Sequence, residues 1–329
     1  MSTDSRWPDA PVIVRAPASS ANLGPGFDAL GLALSLYDVA VVRATGGGLE
    51  IEVSGEGQGT AAVGERHLVV RTMRAAFDRL GRQPAGLSLR CLNAIPHSRG
   101  LGSSAAAIVT GILAARALAP DGPGLLPDRA VLELATELEG HPDNVAACLH
   151  GSLTIAWTPG EAGPGDGSDG APPPAPRMIR LPVLEEIHPV LCVPADGLAT
   201  ATARGALPAT VPHRDAAANA ARSALLVAAL TRDPSVLFDA TEDYLHQRYR
   251  AEVMPRTADL LGRLRAAGVA ATVSGAGPAV LALTVAGRNP GPDLVDSIAA
   301  ETGIGWRISP LDIDRQGATL QTAVPAERS

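Results

Sequence analysis

The order of apolar and polar residues along the chain predicts short strands interspersed with helices. Alternating or β-branched stretches predict strands at residues 12–16, 38–44, 49–53, 87–92, 153–157, 190–193, 270–273 and 279–285. Apolar residues at helical spacing predict helices at residues 69–80, 105–119, 128–138, 213–231, 233–246 and 255–267. The last 30 residues add one helix, one strand and a polar tail. Because strands and helices mix in both halves, the pattern favours an α+β or α/β fold.

The size and composition of the chain are those of a globular protein. It has 329 residues, of which 46% are hydrophobic and 19% are charged, so it can bury a sizeable core in one large domain or two ordinary ones. Residues 158–177 are rich in glycine, proline and aspartate, a composition typical of a disordered surface insertion. We expect this segment to be disordered, and it is a natural place for a boundary between domains.

The charge balance excludes several classes of partner. A net charge of −7 and an aromatic content of 3% argue against nucleic-acid binding, which needs a basic face and stacking side chains. The first eleven residues form no apolar leader, and no apolar run approaches the roughly 20 residues of a membrane span. We therefore expect a cytoplasmic protein that binds neither nucleic acid nor membranes.

Cys91, Cys148 and Cys192 show no CxxC spacing, which favours buried thiols over a disulfide or a zinc site.

The clearest chemical signal is residues 95–107, Ile-Pro-His-Ser-Arg-Gly-Leu-Gly-Ser-Ser-Ala-Ala-Ala, which predict a glycine loop leading directly into a helix. Gly100 and Gly102 allow the backbone to approach a ligand closely, and Ser103 or Ser104 stands where an N-cap is expected. The N–H groups and the dipole of a helix N-terminus attract phosphate. The chain contains no lysine, so this cannot be a Walker-A loop, and we expect a phosphate loop of another kind.

Three further segments carry candidate chemistry. Residues 22–28 (Asn-Leu-Gly-Pro-Gly-Phe-Asp) and 274–278 (Ser-Gly-Ala-Gly-Pro) predict two more glycine loops. One such loop alone is typical of a tight turn, but three in one chain indicate a ligand site. Residues 137–144 (Glu-Leu-Glu-Gly-His-Pro-Asp-Asn) predict a helix end and a polar turn. A glutamate there and a loop hydroxyl would suit Mg²⁺, which usually takes one or two protein oxygens plus phosphate and water.

In this order and spacing, the four segments resemble the GHMP small-molecule kinases, and residues 17–28 resemble the homoserine kinases among them most specifically. The similarity extends from about residue 12 to about residue 285. It implies an α+β fold of two domains, a ribosomal-protein-S5-like domain at residues 1–185 and a ferredoxin-like domain at residues 186–329, with the active site between them. The periodicities described above are compatible with that fold but do not by themselves predict it.

The resemblance implies ATP-dependent phosphorylation of the side-chain hydroxyl of L-homoserine to O-phospho-L-homoserine, with Mg²⁺ as cofactor, and it is compatible with a homodimer. Ser104 and Glu137 are implied as Mg²⁺ ligands, with Glu139 as the alternative to Glu137. Together with Asn144 they form the implied catalytic set. The residues implied to bind ATP are those of the glycine loop: Ile95, Pro96, His97, Ser98, Arg99, Gly100, Leu101, Gly102, Ser103, Ser104 and Ala105.

The residues implied to bind homoserine are Asn22, Asp28, His141, Asn144, Thr200, Arg204, Arg250 and Gly275. Asp28 would suit the substrate ammonium, and the two arginines would suit its α-carboxylate as bidentate forks. Some sister kinases use an aspartate tuned by a lysine, and this chain has no lysine. We therefore expect no dedicated general base, with Asp143 as the alternative.

Other functions remain open at the level of sequence. A GHMP kinase acting on mevalonate, a diphosphocytidyl sugar alcohol or shikimate would share the loops but would not need the two arginines. A non-catalytic relative would bind nucleotide without transferring phosphate, although Ser104 and Glu137 are both present. A dinucleotide-binding oxidoreductase is disfavoured, because the loop lacks the GxGxxG spacing and no acidic residue follows about 20 residues later at a strand end.

Overall fold

A computed structural model describes residues 7–59, 61–160 and 174–322 of the chain. The strands within these ranges are β1 Val12–Asn22, β2 Gly26–Thr45, β3 Gly48–Gly55, β4 Gly86–Asn93, β5 Leu153–Trp157, β6 Arg177–Leu181, β7 Ile187–Val193, β8 Ala270–Val273, β9 Val280–Val285, β10 Arg307–Pro310 and β11 Thr319–Thr322. The helices are α1 Leu68–Arg79, α2 Ser103–Leu118, α3 Gly122–Leu125, α4 Asp128–Glu139, α5 Pro142–His150, α6 Thr200–Gly205, α7 His213–Thr231, α8 Leu237–Ala240, α9 Gln247–Arg250, α10 Pro255–Ala266 and α11 Pro292–Glu301.

The larger sheet is built around the long strand β2, which pairs with β1, β4 and β5. Its strands follow the order β11-β1-β2-β4-β3, while β5 and β6 extend it from another part of β2. The β3–β4 pair is parallel and the other pairs are antiparallel. Helices α2 and α5 pack on β1 and β2, and α1 and α4 pack against α2. Because the side chains facing these helices are apolar, this layer forms the main core.

The smaller sheet has the order β10-β7-β9-β8, with all its neighbouring strands antiparallel. Its second core lies against α10 and α11, where Val190, Leu260, Leu264 and Val295 are buried together. The two halves are interleaved, since the C-terminal strand β11 pairs with β1 of the larger sheet. Helices α7 and α8 also contribute to the main core. The α+β class is therefore confirmed, and the domain boundary near residue 185 stays a prediction.

The segment 18–28 is a β-hairpin, so the strand predicted at residues 12–16 is too short and the glycine loop predicted at residues 22–28 is a tight turn between two long strands. Strand β1 continues through Pro17 with a register shift between Pro17 and Ala18, and its small residues up to Asn22 pair with the start of β2. A shift of this kind lets an antiparallel pair accommodate proline. The hairpin places Asn22 and Asp28 on either side of a tight turn.

The helix predicted at residues 233–246 is also wrong. The chain instead forms a short 3-10 turn, α8, an irregular segment and α9. Asp243 accepts the backbone N–H groups of Leu245, His246 and Gln247, and such local bonds compete with a continuous helix. The sequence also missed α5, whose first residue is Pro142, a residue that suits the first turn of a helix.

One smaller difference concerns the C-terminal end. The last residues form two strands, β10 and β11, in place of the single one expected. The insertion expected to be disordered falls largely on residues 161–173, which lie outside the described residues. None of the helices in the described ranges has the length and apolar character needed to cross a bilayer.

Candidate active site

The glycine loop connects β4 to α2, as the sequence predicts, but the helix begins differently. Gly102 is the N-cap of α2, in a left-handed conformation with φ of 65°, and Ser103 and Ser104 are the first two helical residues. The N-cap residue is a glycine, so the prediction of a serine N-cap is wrong, and no side chain of the described residues caps this helix. The N-terminal N–H groups of α2 are therefore available to an anion. A Cβ on Gly102 would collide with the Ser19 hydroxyl, which explains the need for glycine.

A polar cleft of about 160 Å³ opens beside this helix N-terminus. It is bounded by the β1–β2 hairpin, the glycine loop, the start of α5, and the helices α6 and α9. The predicted site residues that line it are Asn22, Ser98, Gly100, Leu101, Gly102, Ser103, Ser104, His141, Asn144, Thr200, Arg204, Arg250 and Gly275. Segments more than 200 residues apart in the chain thus meet where the sequence predicts a single site, for example at the 2.8 Å bond from Asn22 Nδ2 to the Gly275 carbonyl.

Asp28 and Arg204 form a bidentate ion pair at the edge of the cleft. The Arg204 Nη2 and Nη1 atoms lie 2.7 Å and 3.2 Å from the two Asp28 carboxylate oxygens. Each side chain is 36% exposed, so both remain accessible. Asp28 has a left-handed backbone, with φ of 53°, and its N–H donates to Asn22 Oδ1 at 2.9 Å. The pair presents one anion and one cation side by side, which is the charge pattern complementary to a zwitterion.

Arg250 is held more deeply, with 1% of its surface exposed. Its Nε donates to the Ala203 carbonyl at 3.1 Å, and its Nη1 lies 3.0 Å from His246 Nδ1 and 3.3 Å from the Gly275 carbonyl. Within the described residues its Nη2 has no protein acceptor, although the residue lines the cleft. Burial and the nearby Arg204 lower the pKa of Arg250 to about 10, so the guanidinium is still charged at neutral pH.

The two glutamates at the end of α4 point in different directions and have different partners. Ser104 Oγ donates to Glu139 Oε2 at 2.8 Å, and burial raises the pKa of Glu139. Glu137 is 61% exposed and pairs with Arg79 at 2.5 Å, so the expected approach of Glu137 to Ser104 is not observed. Two residues along a helix point about 200° apart, which is why only one of them can face the loop. The position beside Ser104 belongs to Glu139, the alternative named from the sequence.

The donor set around Ser104 and Glu139 suits Mg²⁺. Both side chains present hard oxygen atoms, and Mg²⁺ is usually held by one or two carboxylates together with substrate phosphates and water. Within the described ranges there is no cluster of three or more histidine, cysteine, aspartate or glutamate side chains that could hold a metal ion by itself. A metal at this point would therefore depend on phosphate oxygens for the rest of its coordination.

The Arg99 guanidinium binds backbone carbonyls, and the role of this residue in ATP binding stays a prediction. Its Nη1 donates to the His97 carbonyl at 2.7 Å and its Nε to the Pro194 carbonyl at 3.1 Å, while Nη2 donates to Ala195. Four other loop residues are buried: Ile95, Pro96, Leu101 and Ala105. Of these, Leu101 also lines the cleft. Arg99 thus connects the loop to the segment that follows β7.

The start of α5 places three polar side chains in the cleft. Asp143 is 2% exposed, and burial raises the pKa of its carboxyl group. Its Oδ1 accepts the Asn144 N–H at 2.7 Å and lies 3.9 Å from His141 Nδ1, which has no hydrogen-bond partner among the described residues. Asn144 Oδ1 in turn accepts the Ser19 hydroxyl at 2.9 Å. His141 is therefore the group at this point with an unused polar atom.

A second cleft of about 350 Å³ adjoins the first and shares Ser98, Ser103 and Ser104 with it. Sequence reasoning missed Asp38, which lines this cleft and accepts the N–H groups of Ala94 and Ile95 at 2.8 Å and 2.9 Å. These bonds fix the start of the glycine loop, and burial raises the pKa of Asp38. An aspartate inside a β-branched run was the available signal, because aspartate is depleted in strands.

Comparisons with known proteins match both halves of the chain. Residues 67–152 match the GHMP kinases N terminal domain, and residues 212–301 match the GHMP kinases C terminal region. A homoserine kinase of Streptomyces avermitilis is 54% identical over 311 residues, covering 94% of this chain and 96% of the relative. A homoserine kinase of Rhodococcus erythropolis is 48% identical over 304 residues, covering 92% and 93%.

Solved structures show the same fold. The crystal structure of homoserine kinase from Cytophaga hutchinsonii superposes with a TM-score of 0.75 at 24% identity, covering 98% of this chain and 100% of that one. Phosphomevalonate kinase of Streptococcus pneumoniae superposes with a TM-score of 0.63 at 14% identity, covering 91% and 98%. With the high identity to the curated relatives, these findings show that the chain belongs to the GHMP kinases and, within them, to the homoserine kinase family.

Proposed function

We propose that the protein transfers the γ-phosphoryl group of ATP to the side-chain hydroxyl of L-homoserine, forming O-phospho-L-homoserine and ADP. The observation that carries the proposal is the Asp28–Arg204 pair beside Arg250, in a cleft that adjoins the uncapped N-terminus of α2. The names of the relatives support the same substrate. The reaction thus takes place where a site for a zwitterion meets a site for phosphate.

The amino-acid head group would replace the internal ion pair. Its α-ammonium would bind the Asp28 carboxylate, and its α-carboxylate would bind Arg204 and the free Nη2 of Arg250. Bidentate guanidinium contacts favour a planar carboxylate. Mevalonate and shikimate lack an ammonium group, so they would separate the Asp28–Arg204 pair without compensating the aspartate. The missing ammonium group therefore disfavours binding of the alcohols that other GHMP kinases phosphorylate.

The nucleotide would extend from one cleft into the other. Its phosphates would bind the N–H groups of the glycine loop and of the first turn of α2, and its nucleoside would occupy the adjoining cleft of about 350 Å³. Ser104 and Glu139 would hold Mg²⁺, which neutralises charge on the phosphates when bound. The serine hydroxyl and the carboxylate are 2.8 Å apart, close enough to be ligands of one ion.

In this mechanism the residues of the chain mainly position the substrates and neutralise charge. Phosphoryl transfer passes through a loose transition state, so fixed donors around the transferred group contribute more than covalent chemistry. Asn144 is held by Ser19, and Asn22 by Gly275, which keeps these polar groups fixed at the cleft. The hydroxyl proton would pass to the γ-phosphate or to water, without a dedicated general base.

A coupled ADP-release assay tests the proposal. It should compare L-homoserine, L-serine, L-threonine, mevalonate and shikimate with ATP and Mg²⁺. Turnover confined to L-homoserine and abolished by chelation of the metal is the expected result. Turnover on another alcohol would keep the kinase chemistry and reject the proposed head-group site, whereas ATP binding without turnover would indicate a non-catalytic relative.

Two further expectations belong to the same proposal. We place the protein in the cytoplasm, where ATP and a free amino-acid substrate are available. The family resemblance favours a homodimer, and light scattering of the purified protein at several concentrations would measure its mass.

A further inference from the structure

His246 is a fully buried histidine at the N-cap of α9, with 0% of its surface exposed. Its Nε2 lies 2.8 Å from the Gly24 carbonyl in the turn of the β1–β2 hairpin, and its Nδ1 lies 3.0 Å from Arg250 Nη1. Its ring also packs against Phe27, with 5.2 Å between ring centroids. The imidazole therefore bridges the two segments that carry opposite charges of the proposed head-group site.

The two partners determine where the proton of the ring lies. A carbonyl oxygen only accepts, so Nε2 carries the hydrogen and donates to Gly24. A guanidinium only donates, so Nδ1 must offer its lone pair to Arg250. An imidazolium at this position would lose the second bond and place two cations 3.0 Å apart. The charged groups nearby are Asp243, 3.7 Å from Nε2, Arg250 itself and Asp28, and burial lowers the pKa of His246.

We propose that His246 is a positioning residue for recognition of the amino-acid substrate, which aligns the Arg250 guanidinium and connects it through Gly24 to the hairpin that carries Asn22 and Asp28. The proposal rests on the proposed function of the cleft. Because three N–H groups of Arg250 are bound to Ala203, His246 and Gly275, its free Nη2 is held in one orientation. Of these three acceptors the imidazole is the one that belongs to a side chain, and the other two are backbone carbonyls.

Hydrogen bonds to Gly275 also connect Arg250 to the hairpin. The Gly275 carbonyl accepts from both Asn22 Nδ2 at 2.8 Å and Arg250 Nη1 at 3.3 Å. A closed network of contacts beside the cleft thus joins Asn22, Gly275, Arg250, His246 and Gly24, and the first three of these residues line the cleft. Loss of the Arg250–His246 bond would leave the guanidinium held by the Ala203 and Gly275 carbonyls alone, which would weaken binding of a carboxylate that needs Nη2 in one orientation.

Two substitutions separate the two hydrogen bonds of the ring. In His246→Asn the amide lies near the position of Nδ1 and can still accept from Arg250, whereas in His246→Gln it lies near Nε2 and can still donate to Gly24. We expect His246→Gln to raise the KM for L-homoserine by about 10- to 100-fold, the range for loss of a hydrogen bond to a charged group. The His246→Asn variant should raise it clearly less, and the KM for ATP should change little in both.

Controls and second measurements keep the test decisive. Phe77→Leu alters a fully buried side chain of the main core, so it should lower the melting temperature without changing the KM for homoserine. Equal effects of the Asn and Gln variants, or equal changes in the KM values for both substrates, would overturn the proposal. Wild-type protein that does not phosphorylate homoserine would instead reject the proposed function.

A measurement on the wild-type protein covers the case in which neither variant folds. The ¹⁵N spectrum of histidine-labelled enzyme should show His246 as the neutral Nε2–H tautomer near pH 7. The opposite tautomer, or an imidazolium, would exclude an acceptor role toward Arg250 and overturn the proposal.

Discussion

Two glutamates only two residues apart, Glu137 and Glu139, offer a matched test of the metal site. We expect Glu139→Gln to lower kcat by about 100-fold or more, as loss of one preorganised charge contact commonly does, and to be partly rescued by high Mg²⁺. Glu137→Gln removes only an exposed pair with Arg79 and should stay close to wild type. Initial rates measured against Mg²⁺ concentration would check this. The reverse pattern would restore the ligand first expected from the sequence.

Asp143 decides whether the reaction uses a general base. We expect Asp143→Asn to reduce kcat by less than about 1000-fold, because the carboxylate is bound to the Asn144 N–H and has a structural role there. Steady-state kinetics with L-homoserine and a melting curve would separate the loss of chemistry from the loss of folding. A larger fall in kcat at unchanged KM for homoserine would identify Asp143 as the base.

At the level of residues, the sequence was informative where chemistry is concentrated in short motifs. The three glycine loops indicated a ligand site, and the family resemblance carried by these motifs implied that Asn22, Asn144 and Gly275 lie in it, where the structure brings them together. The sequence could not separate Glu137 from Glu139, since the choice depends on the phase of a helix end. It also could not show that Arg99 binds carbonyl groups, because arginine suits phosphates and carbonyls alike.

At the level of elements, the glycine loop and α6 are connected through Arg99. Its guanidinium binds the carbonyls of Pro194 and Ala195, and the Ser98 carbonyl accepts the Leu198 N–H at 3.0 Å. The segment held in this way leads directly into α6, which carries Arg204. The phosphate loop and the proposed homoserine site therefore share a support.

Substitution of Arg99 tests this connection. We expect Arg99→Ala to raise the KM values for ATP and L-homoserine together by about tenfold, because donors to several carbonyls are lost. Arg256→Ala is the matched control, since it removes an exposed ion pair to Asp196 in the same segment and should change both values little. Steady-state kinetics with each substrate varied would show the effect. A rise confined to ATP would instead favour direct contact between Arg99 and the phosphates.

The elements that the sequence predicted well are those with clear local patterns. Helix α7 was predicted at the bounds observed and β8 likewise, because their apolar periodicity is uninterrupted. Strand β2 was not recognised as one strand of 20 residues, since Gly26 and Gly31 interrupt its pattern. Gly31 is explained by tertiary packing, because a Cβ there would collide with the backbone of Asp143, whereas a Cβ on Gly26 would meet the Leu30 side chain of the same strand. Contacts between distant segments, like that of Gly31, cannot be seen in one segment of sequence.

At the level of the whole molecule, the cleft depends on both halves of the chain. The hairpin, the glycine loop and α5 come from the first half, whereas α6, α9 and Gly275 come from the second. Strand β11 then returns to the larger sheet, and α7 packs into the main core. The halves are therefore joined on several sides. Because the halves are interleaved in this way, we expect them to unfold together, with one stability for the whole molecule.

That stability should fall as the solution becomes mildly acidic. Burial is the largest cause that lowers the pKa of His67, His150 and His246 below the usual value of 6.5. The unfolded chain, in which these groups are exposed, therefore binds protons at a higher pH than the folded chain does. Stability is fully present above pH 6.5 and is lost as the pH falls through the lowered pKa values, by at most about 1.4 kcal/mol per pH unit for each histidine.

Melting curves of the ligand-free protein between about pH 8 and pH 5.5 would measure this loss. Glu139, Asp38 and Asp143 act in the opposite direction, because burial raises their pKa values and the folded chain then binds protons first. They raise stability as the pH falls through their raised pKa values, so they oppose the loss due to the histidines, and a comparison of variants isolates the part of a single histidine. His150→Gln should flatten the dependence, whereas His213→Gln, at an exposed position, should not. A pH dependence that is equally steep in the wild type and in His150→Gln would contradict the contribution of this histidine.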